Sequence, residues 1–167
     1  MTKAEHIIHP IAPVYDADSR ILILGTLPSP ASRAFGFYYG HKQNLFWPLL
    51  AGLFNEQIPA DIAERRAFAL KHHIALFDVL KEGDIVGASD SSIKNAVVND
   101  FAPIFETANI QAVFCTGKTA LKYYNAFAFP KTQKEAIYLP STSPANRAAQ
   151  SKPEFMAAWR QIVDYIS

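Results

Sequence analysis

Four short runs of apolar residues stand out along the chain. Each is nearly continuous in apolar side chains, and together they cover Ile21–Gly25, Ile74–Asp78, Ile110–Cys115 and Ala136–Leu139. Strands that are covered on both faces have this pattern, whereas a strand with one face in water alternates between apolar and polar residues. The runs therefore predict four buried strands.

Segments with a helical pattern separate these runs. They cover Asn44–Phe54, Asp61–His72, Asp100–Ala108 and Lys118–Ala128. Strands that alternate with helices are typical of parallel crossovers. The order predicts a three-layer α/β/α fold around a central, mainly parallel four-stranded sheet. Because the chain has no internal repeat and no long linker, we expect a single domain over residues 1–167.

A capping-box pattern near the end of the chain predicts the start of a last helix. Ser151 is followed by Pro153 and Glu154, the residue types and spacing of such a box. The apolar positions of this helix are Met156, Trp159, Ile162, Val163 and Ile166.

Two segments lack a regular pattern, Thr26–Gln43 and Leu139–Arg147, and each follows a predicted strand. In a parallel sheet the loops after the strands share one edge, which is where open α/β proteins bind ligands. We therefore expect both segments, the residues after Asp78 and the Thr116–Lys118 turn to surround one cleft.

Composition and charge narrow the class of protein only slightly. The net charge is +1, but residues 94–152 carry seven Lys/Arg and three Asp/Glu, a bias that is compatible with binding a polyanion. The single cysteine, Cys115, excludes an internal disulfide, and its apolar setting predicts an inert core thiol. The five histidines lack ligand spacing, so we expect no metal site.

The chain shows no signal for a membrane or for secretion. No apolar run approaches the roughly 18 residues of a membrane span, and the first ten residues lack the apolar core of a signal peptide. We therefore expect a cytoplasmic protein with no membrane partner.

Candidate chemistry concentrates in the first loop and the helix after it. Phe35 and Phe37 fit a core role, whereas an exposed Tyr38 or Tyr39 beside a cleft can stack on a base. His41 can act as an acid or base, or form only a local hydrogen bond. Asn44 either caps the helix or orients a water molecule.

Two further motifs are weak by themselves. The turn Gly25–Pro28 matches no phosphate-binding fingerprint, and Thr116–Lys118 is either a phosphate-binding turn or a plain glycine turn with a surface lysine. A serine hydrolase is disfavoured because there is no G-x-S-x-G elbow, and the loop serines lie beside prolines without an assignable base.

In combination, three motifs resemble the uracil-DNA glycosylase superfamily, and within it the hypoxanthine-DNA (deoxyinosine) glycosylase branch. Gly25–Pro28 matches a G-S/T-F/L-P turn, Tyr38–Trp47 matches Y-Y-x-H-x-x-N-x-F-W, and Leu139–Asn146 contains L-P-S-T-S-P-A. The matches occur in order from about Ile21 to Arg147, which is most of the chain.

The resemblance implies an enzyme that flips a deaminated base out of double-stranded DNA and hydrolyses its N-glycosidic bond, with hypoxanthine as the expected base. It implies Asn44 as the catalytic residue and no cofactor, and we expect a monomer. The implied base-binding residues are Gly25, Thr26, Leu27, Pro28, Ser29, Tyr39 and His41. The implied DNA-binding residues are Gly117, Lys118, Ser141, Thr142, Ser143, Asn146 and Arg147.

The chain also departs from the pattern of the superfamily. Leu27 occupies the position at which uracil-directed relatives carry the Asp or Asn that activates water. Leu139 occupies the position at which other branches carry the His or Asn that stabilises the departing base. Three alternatives therefore remain: a mismatch-specific uracil or thymine glycosylase, which Leu27 disfavours; a superfamily member that only binds DNA; and a nucleotide- or phosphate-binding module without chemistry.

Overall fold

The protein is built around a parallel sheet, seen in a computed structural model that describes residues 3–166. Met1, Thr2 and Ser167 lie outside the described residues. In chain order the strands are β1 (Glu5–Ile8), β2 (Ile21–Gly25), β3 (Ile74–Asp78), β4 (Leu80–Val86), β5 (Ser89–Val98), β6 (Ala112–Thr116) and β7 (Ala136–Leu139).

The central sheet has the strand order β3-β2-β6-β7, and every neighbouring pair is parallel. All residues of β2 and β3 are buried, which explains why their sequences are continuous apolar runs. The predicted fold class and four-stranded sheet are confirmed. The third predicted strand was placed too early, because Ile110 is buried ahead of β6 rather than paired within it.

Helices flank this sheet. They are α1 (Pro30–Phe35), α2 (Phe46–Leu53), α3 (Ile62–Lys71), α4 (Ala102–Thr107), α5 (Lys118–Tyr123), α6 (Phe129–Thr132), α7 (Arg147–Gln150) and α8 (Pro153–Arg160). In the order β3-β2-β6-β7, the crossover from β2 leads to β3 on one side of it. The next two crossovers, from β3 to β6 and from β6 to β7, lead the opposite way across the sheet. Right-handed crossovers therefore put α2 and α3 on one face and α4 and α5 on the other. Within residues 3–166, every helix is too short or too polar to span a bilayer.

A second sheet, with the order β1-β4-β5, was not predicted from the sequence. Its strands are antiparallel, and the β4–β5 pairing contains register shifts. β5 contains Ser, Asp and Asn residues, which have low strand propensity, and Ile93 is its one buried residue. The pattern of a polar, partly exposed strand is difficult to distinguish from that of a loop.

Several predicted helix boundaries were wrong. Residues 30–35 form a helix inside the segment expected to be irregular, because Ser29 caps it and Pro30 starts it. The helix predicted from Asn44 begins at Phe46 and ends at Leu53. The helices predicted over 61–72 and 100–108 are α3 and α4, each slightly shorter than expected.

The end of the chain also differs from the prediction. The pattern over 118–128 continues through a π-helical turn, Tyr124–Ala128, into α6. The capping box does not form, because the hydroxyl of Ser151 donates to the carbonyl of Ala148 and the helix starts at Pro153. The last predicted helix is α8, followed by the 3-10 turn Gln161–Tyr165.

Candidate active site

A cleft of about 780 Å³ opens at the edge where the parallel strands end. Gly25, Asp78 and Thr116, at the carboxyl ends of β2, β3 and β6, lie in its wall. This is the edge at which open α/β sheets bind ligands. The predicted convergence of the loops on one cleft therefore matches the structure.

The wall contains most of the residues that the sequence singled out. These are Gly25, Thr26, Leu27, Pro28, Ser29, Tyr39, His41, Asn44, Gly117, Lys118, Ser141, Thr142, Ser143 and Asn146. Arg147 is exposed at the start of α7 and does not line the cleft. Leu139 is fully buried at the end of β7 and does not line it either.

The Gly25 turn is packed closely against Asp78. A Cβ added at Gly25 would lie 2.6 Å from Oδ1 of Asp78, which is too close for any real side chain. Oδ2 of the same carboxylate lies 2.7 Å from Nε2 of His9, and both side chains are buried. The turn can therefore approach the end of β3 only because residue 25 has no side chain.

Tyr39 forms an aromatic wall of the cleft. Its ring is stacked on Phe46, with the ring centroids 3.8 Å apart and the planes 13° apart. Its backbone has φ 55°, a left-handed conformation that is uncommon for a bulky residue. Since Phe46 covers one face of a half-buried ring, the exposed part of Tyr39 faces the cleft.

The hydroxyl of Tyr39 is buried and has no hydrogen-bond partner among the residues that the structure describes. Burial, followed by the negative charge of Asp78, raises the pKa of this hydroxyl. Tyr39 therefore contributes a neutral ring, and not a phenolate, to the cleft. Phe37 is buried as expected, whereas Phe35 is 37% exposed, so the core role predicted for Phe35 was wrong.

Asn44 lies in the cleft wall just before α2. Its Oδ1 accepts a hydrogen bond of 2.9 Å from the backbone N–H of Phe46. The next residue, Leu45, donates its backbone N–H to the carbonyl of Thr142 at 3.0 Å, which joins the first loop to the second. Asn44 thus lies one residue before the N-cap, Leu45, and satisfies the first backbone N–H of α2. Its amide nitrogen makes no hydrogen bond to the described residues.

His41 precedes Asn44 in the same loop and is exposed. Its Nδ1 accepts a hydrogen bond of 3.0 Å from the backbone N–H of Gln43, and its carbonyl accepts one of 2.9 Å from the N–H of Asn44. These are the local contacts that the sequence suggested as an alternative to an acid–base role. These hydrogen bonds fix the backbone of the loop just before Asn44.

The second loop is braced by hydrogen bonds to its carbonyls. Asn146 and Gln150 both donate side-chain N–H groups to the carbonyl of Ser141, and Trp159 donates its indole N–H to Pro140. The hydroxyl of Ser143 accepts from the N–H of Ala145 and starts a 3-10 turn. The loop is therefore a fixed rim of the cleft.

Gly117 and Lys118 form the rim between the two loops. Gly117 has φ 93°, which favours glycine, and donates its N–H to the carbonyl of Leu139 at 2.8 Å. Lys118 is exposed and lines the cleft, so it can approach a phosphate group as a solvated cation.

Asp90 is a cleft residue that the sequence did not indicate. It lies in β5 next to the β4–β5 turn, and its Oδ2 accepts a hydrogen bond of 3.0 Å from the hydroxyl of Thr26. Burial, followed by the negative charge of Asp78, raises the pKa of Asp90. A sequence signal was absent, because Ser89–Ser92 resembles an ordinary polar turn.

The described residues contain no group of three or more His, Cys, Asp or Glu side chains that could hold a metal ion. The chemistry available in the cleft is that of an aromatic platform, two asparagine amides, two carboxyl groups, backbone donors and a rim with a lysine. This set suits recognition of a flat polar ring that is attached to an anionic chain.

The proteins to which this chain is similar carry the names of DNA glycosylases. The family model of the Uracil DNA glycosylase superfamily matches residues 12–163. Two proteins named hypoxanthine DNA glycosylase are similar to this chain. The protein of Methanosarcina acetivorans is 36% identical over 151 residues, which are 89% of this chain and 93% of the relative. The protein of Methanosarcina barkeri is 38% identical over 113 residues, which are 66% of this chain and 72% of the relative.

A solved structure is also similar along nearly its whole length. It is the solution NMR structure of a candidate uracil DNA glycosylase from Methanosarcina acetivorans, with a TM-score of 0.79 and 30% identity. The match covers 93% of this chain and 96% of that one. The chain belongs to the uracil DNA glycosylase superfamily, which confirms the predicted family and enzyme class.

Proposed function

We propose that this protein is a monofunctional DNA glycosylase that removes hypoxanthine from deoxyinosine in double-stranded DNA and leaves an abasic site. The observation that carries the proposal is the pairing of Tyr39, stacked on Phe46, with Asn44 in one cleft. The two relatives named hypoxanthine DNA glycosylase support the choice of base.

The first step is extrusion of the damaged nucleotide. A base inside a duplex cannot be reached, so it must be flipped out at a cost of a few kcal/mol, which is smallest for a mispaired base. The exposed part of Tyr39 offers a stacking surface for the flipped base, and backbone groups of the turn from Gly25 to Ser29 offer hydrogen bonds at its edge.

The second step is hydrolysis. Water forms a bond to C1′ while the C1′–N9 bond breaks and its electron pair leaves with the base. The water loses one proton to solvent and the base takes one up, so the products are hypoxanthine and an abasic site. Asn44 holds the water through its amide. Its role is to position the water and not to deprotonate it, because an amide is a poor base. The apolar side chain of Leu27 cannot activate water, which favours Asn44 for this role.

The DNA strand is held by the rim of the cleft. Lys118 and Arg147 are exposed cations for phosphates, while Gly117, Ser141, Thr142, Ser143 and Asn146 offer polar groups beside them. All of the cleft residues named above come from one chain, and we expect the protein to act as a monomer.

A cleavage assay on matched duplexes tests the function. Each duplex carries hypoxanthine, uracil, xanthine or mismatched thymine at one site, and alkali converts abasic sites into strand breaks. We expect hypoxanthine to be excised fastest. Faster excision of uracil or thymine would reassign the base, and no excision of any lesion would indicate a DNA-binding protein without this chemistry.

A further inference from the structure

Asp90 is an acid in the cleft that the reaction above does not use. It extends from the second sheet, beside the β4–β5 turn, and its Oδ2 accepts a hydrogen bond of 3.0 Å from the hydroxyl of Thr26. Asp78, the other carboxylate of the cleft, is paired with His9. Asp90 forms no ion pair with a Lys, Arg or His side chain among residues 3–166.

The surroundings of Asp90 favour its neutral form. Burial and the charge of Asp78 raise its pKa, and only the hydrogen bond from Thr26 acts in the other direction. The further titratable side chains on the cleft wall are Tyr38, Tyr39, His41, Lys118 and Tyr138. Bound DNA adds phosphate charge and excludes water, and both effects disfavour a carboxylate still more.

The state of Asp90 matters for the departing base. A purine that leaves with the electron pair of the C1′–N9 bond gains negative charge, and a nearby carboxylate would oppose that charge. A protonated carboxyl group does the reverse, because it donates a hydrogen bond or the proton itself. Since Thr26 occupies Oδ2, Oδ1 is free to carry the proton.

We propose that Asp90 is a catalytic acid that protonates N7 of the departing purine, an inference that rests on the proposed excision of hypoxanthine. The proton moves from Oδ1 of Asp90 to N7 as the C1′–N9 bond breaks, and the base leaves as a neutral molecule. The attacking water gives its oxygen to C1′ and loses one proton to solvent, from which Asp90 regains one. The sum is deoxyinosine and water going to hypoxanthine and an abasic site.

The test measures single-turnover excision between pH 5 and pH 9 with two duplexes, one with hypoxanthine and one with 7-deazahypoxanthine, which has no N7. Asp90→Asn keeps an acceptor for Thr26 but has no acidic proton. Asp90→Glu keeps the proton. Asp84→Asn is the matched control, since Asp84 lies in the same sheet and outside the cleft. Thermal melting and DNA binding show that each variant is folded.

We expect the wild-type rate to fall at alkaline pH as Asp90 loses its proton. Asp90→Asn should slow excision of hypoxanthine by about 100-fold at acidic pH and should not show that fall. Asp90→Glu retains that fall, and Asp84→Asn behaves like wild type. Wild type should excise 7-deazahypoxanthine more slowly than hypoxanthine by a similar factor. Asp90→Asn should excise the two bases at the same rate, because both changes remove the same proton transfer.

Three results would overturn the inference. They are a rate for Asp90→Asn close to wild type, an unchanged pH profile in that variant, and excision of the deaza base at the rate of hypoxanthine. In each case wild type still excises hypoxanthine, so the proposed function stands. If wild type excises no hypoxanthine, both proposals are wrong.

Discussion

Nε2 of His9 lies 2.7 Å from Oδ2 of Asp78, and this contact connects the segment after β1 to the end of β3 behind the Gly25 turn. The two side chains are only 3% and 7% exposed. The pair therefore supports the floor of the cleft without itself being open to solvent.

Removal of the His9 imidazole should destabilise the fold. His9→Ala leaves the carboxylate of Asp78 buried without its partner, and we expect a loss of about 3 kcal/mol in the free energy of unfolding, measured by urea denaturation. His6→Ala is the control, because the side chain of His6 is 51% exposed in its contact with Asp84. That variant should lose less than about 1 kcal/mol. Equal losses would show that burial of the His9–Asp78 pair is unimportant.

Gly25→Ala should damage both stability and excision. The new Cβ would meet Oδ1 of Asp78 at 2.6 Å, in a central strand that cannot shift easily. We expect a loss of about 1–3 kcal/mol by thermal or urea denaturation. Gly52→Ala is the matched control in α2, since nothing lies within 4 Å of a Cβ there. It should gain about 0.5–1 kcal/mol from the better helix former. A neutral Gly25→Ala would contradict the close approach.

Substitution of Asn44 can separate its contact with the first N–H of α2 from its proposed catalytic role. Asn44→Ala removes the acceptor for the N–H of Phe46, so it should cost about 1 kcal/mol of stability and lower single-turnover excision by about 100-fold. Asn44→Ser keeps a side-chain oxygen for that N–H but has no amide. It should retain stability and DNA binding while losing excision. Excision by Asn44→Ser at the wild-type rate would rule out the amide as the group that holds water.

Lys118 should contribute to DNA binding through charge alone. In Lys118→Ala we expect weaker binding to every duplex and a decrease of about 1 in the slope of log affinity against log salt concentration, measured by fluorescence anisotropy. Lys131→Ala is the control, because Lys131 lies in α6 shortly before β7 and therefore toward the opposite edge of the sheet. An unchanged slope in Lys118→Ala would remove Lys118 from the interface.

The single thiol should make the fold sensitive to alkali. Burial raises the pKa of Cys115 from 9.0 to about 12. Below pH 9 the thiol is protonated in both folded and unfolded chains. Between pH 9 and 12 it ionises only in the unfolded chain, so stability falls by about 1 kcal/mol per pH unit.

Urea denaturation of wild type and Cys115→Ala across this range measures the effect. The variant should show a shallower decline with pH, and the remainder comes from buried tyrosines such as Tyr38, whose pKa is also raised by burial. Identical declines in the two proteins would contradict the assignment. The native thiol should also react with alkylating reagents only after unfolding.

The central sheet was predictable because its strands are covered on both faces. Burial of every residue of β2 and β3 forces continuous apolar runs, and these runs can be recognised without any structure. Gly25 ends β2 and Asn44 lies in the connection that follows it, so their position at the same edge of the sheet could also be predicted.

The second sheet and Asp90 could not be predicted in this way. β5 has one buried residue, and its polar positions carry no period that distinguishes a strand from a turn. The pairing of β4 with β5 brings Asp90 to the cleft. There it contacts Thr26, which lies 64 positions earlier in the chain. Long-range contacts of this kind leave no local trace in a sequence.

The β4–β5 hairpin is inserted in the connection between β3 and β6. It forms part of the cleft wall, and neither of its strands pairs with the parallel sheet. Because residues 87–90 pair with no strand of the parallel sheet, we expect changes there to leave the register of β2, β3, β6 and β7 unaltered. The part of the cleft that holds Asp90 and the part that holds Asn44 are consequently separable by engineering. Exchange of this short turn should therefore remodel one side of the pocket while the parallel sheet stays intact.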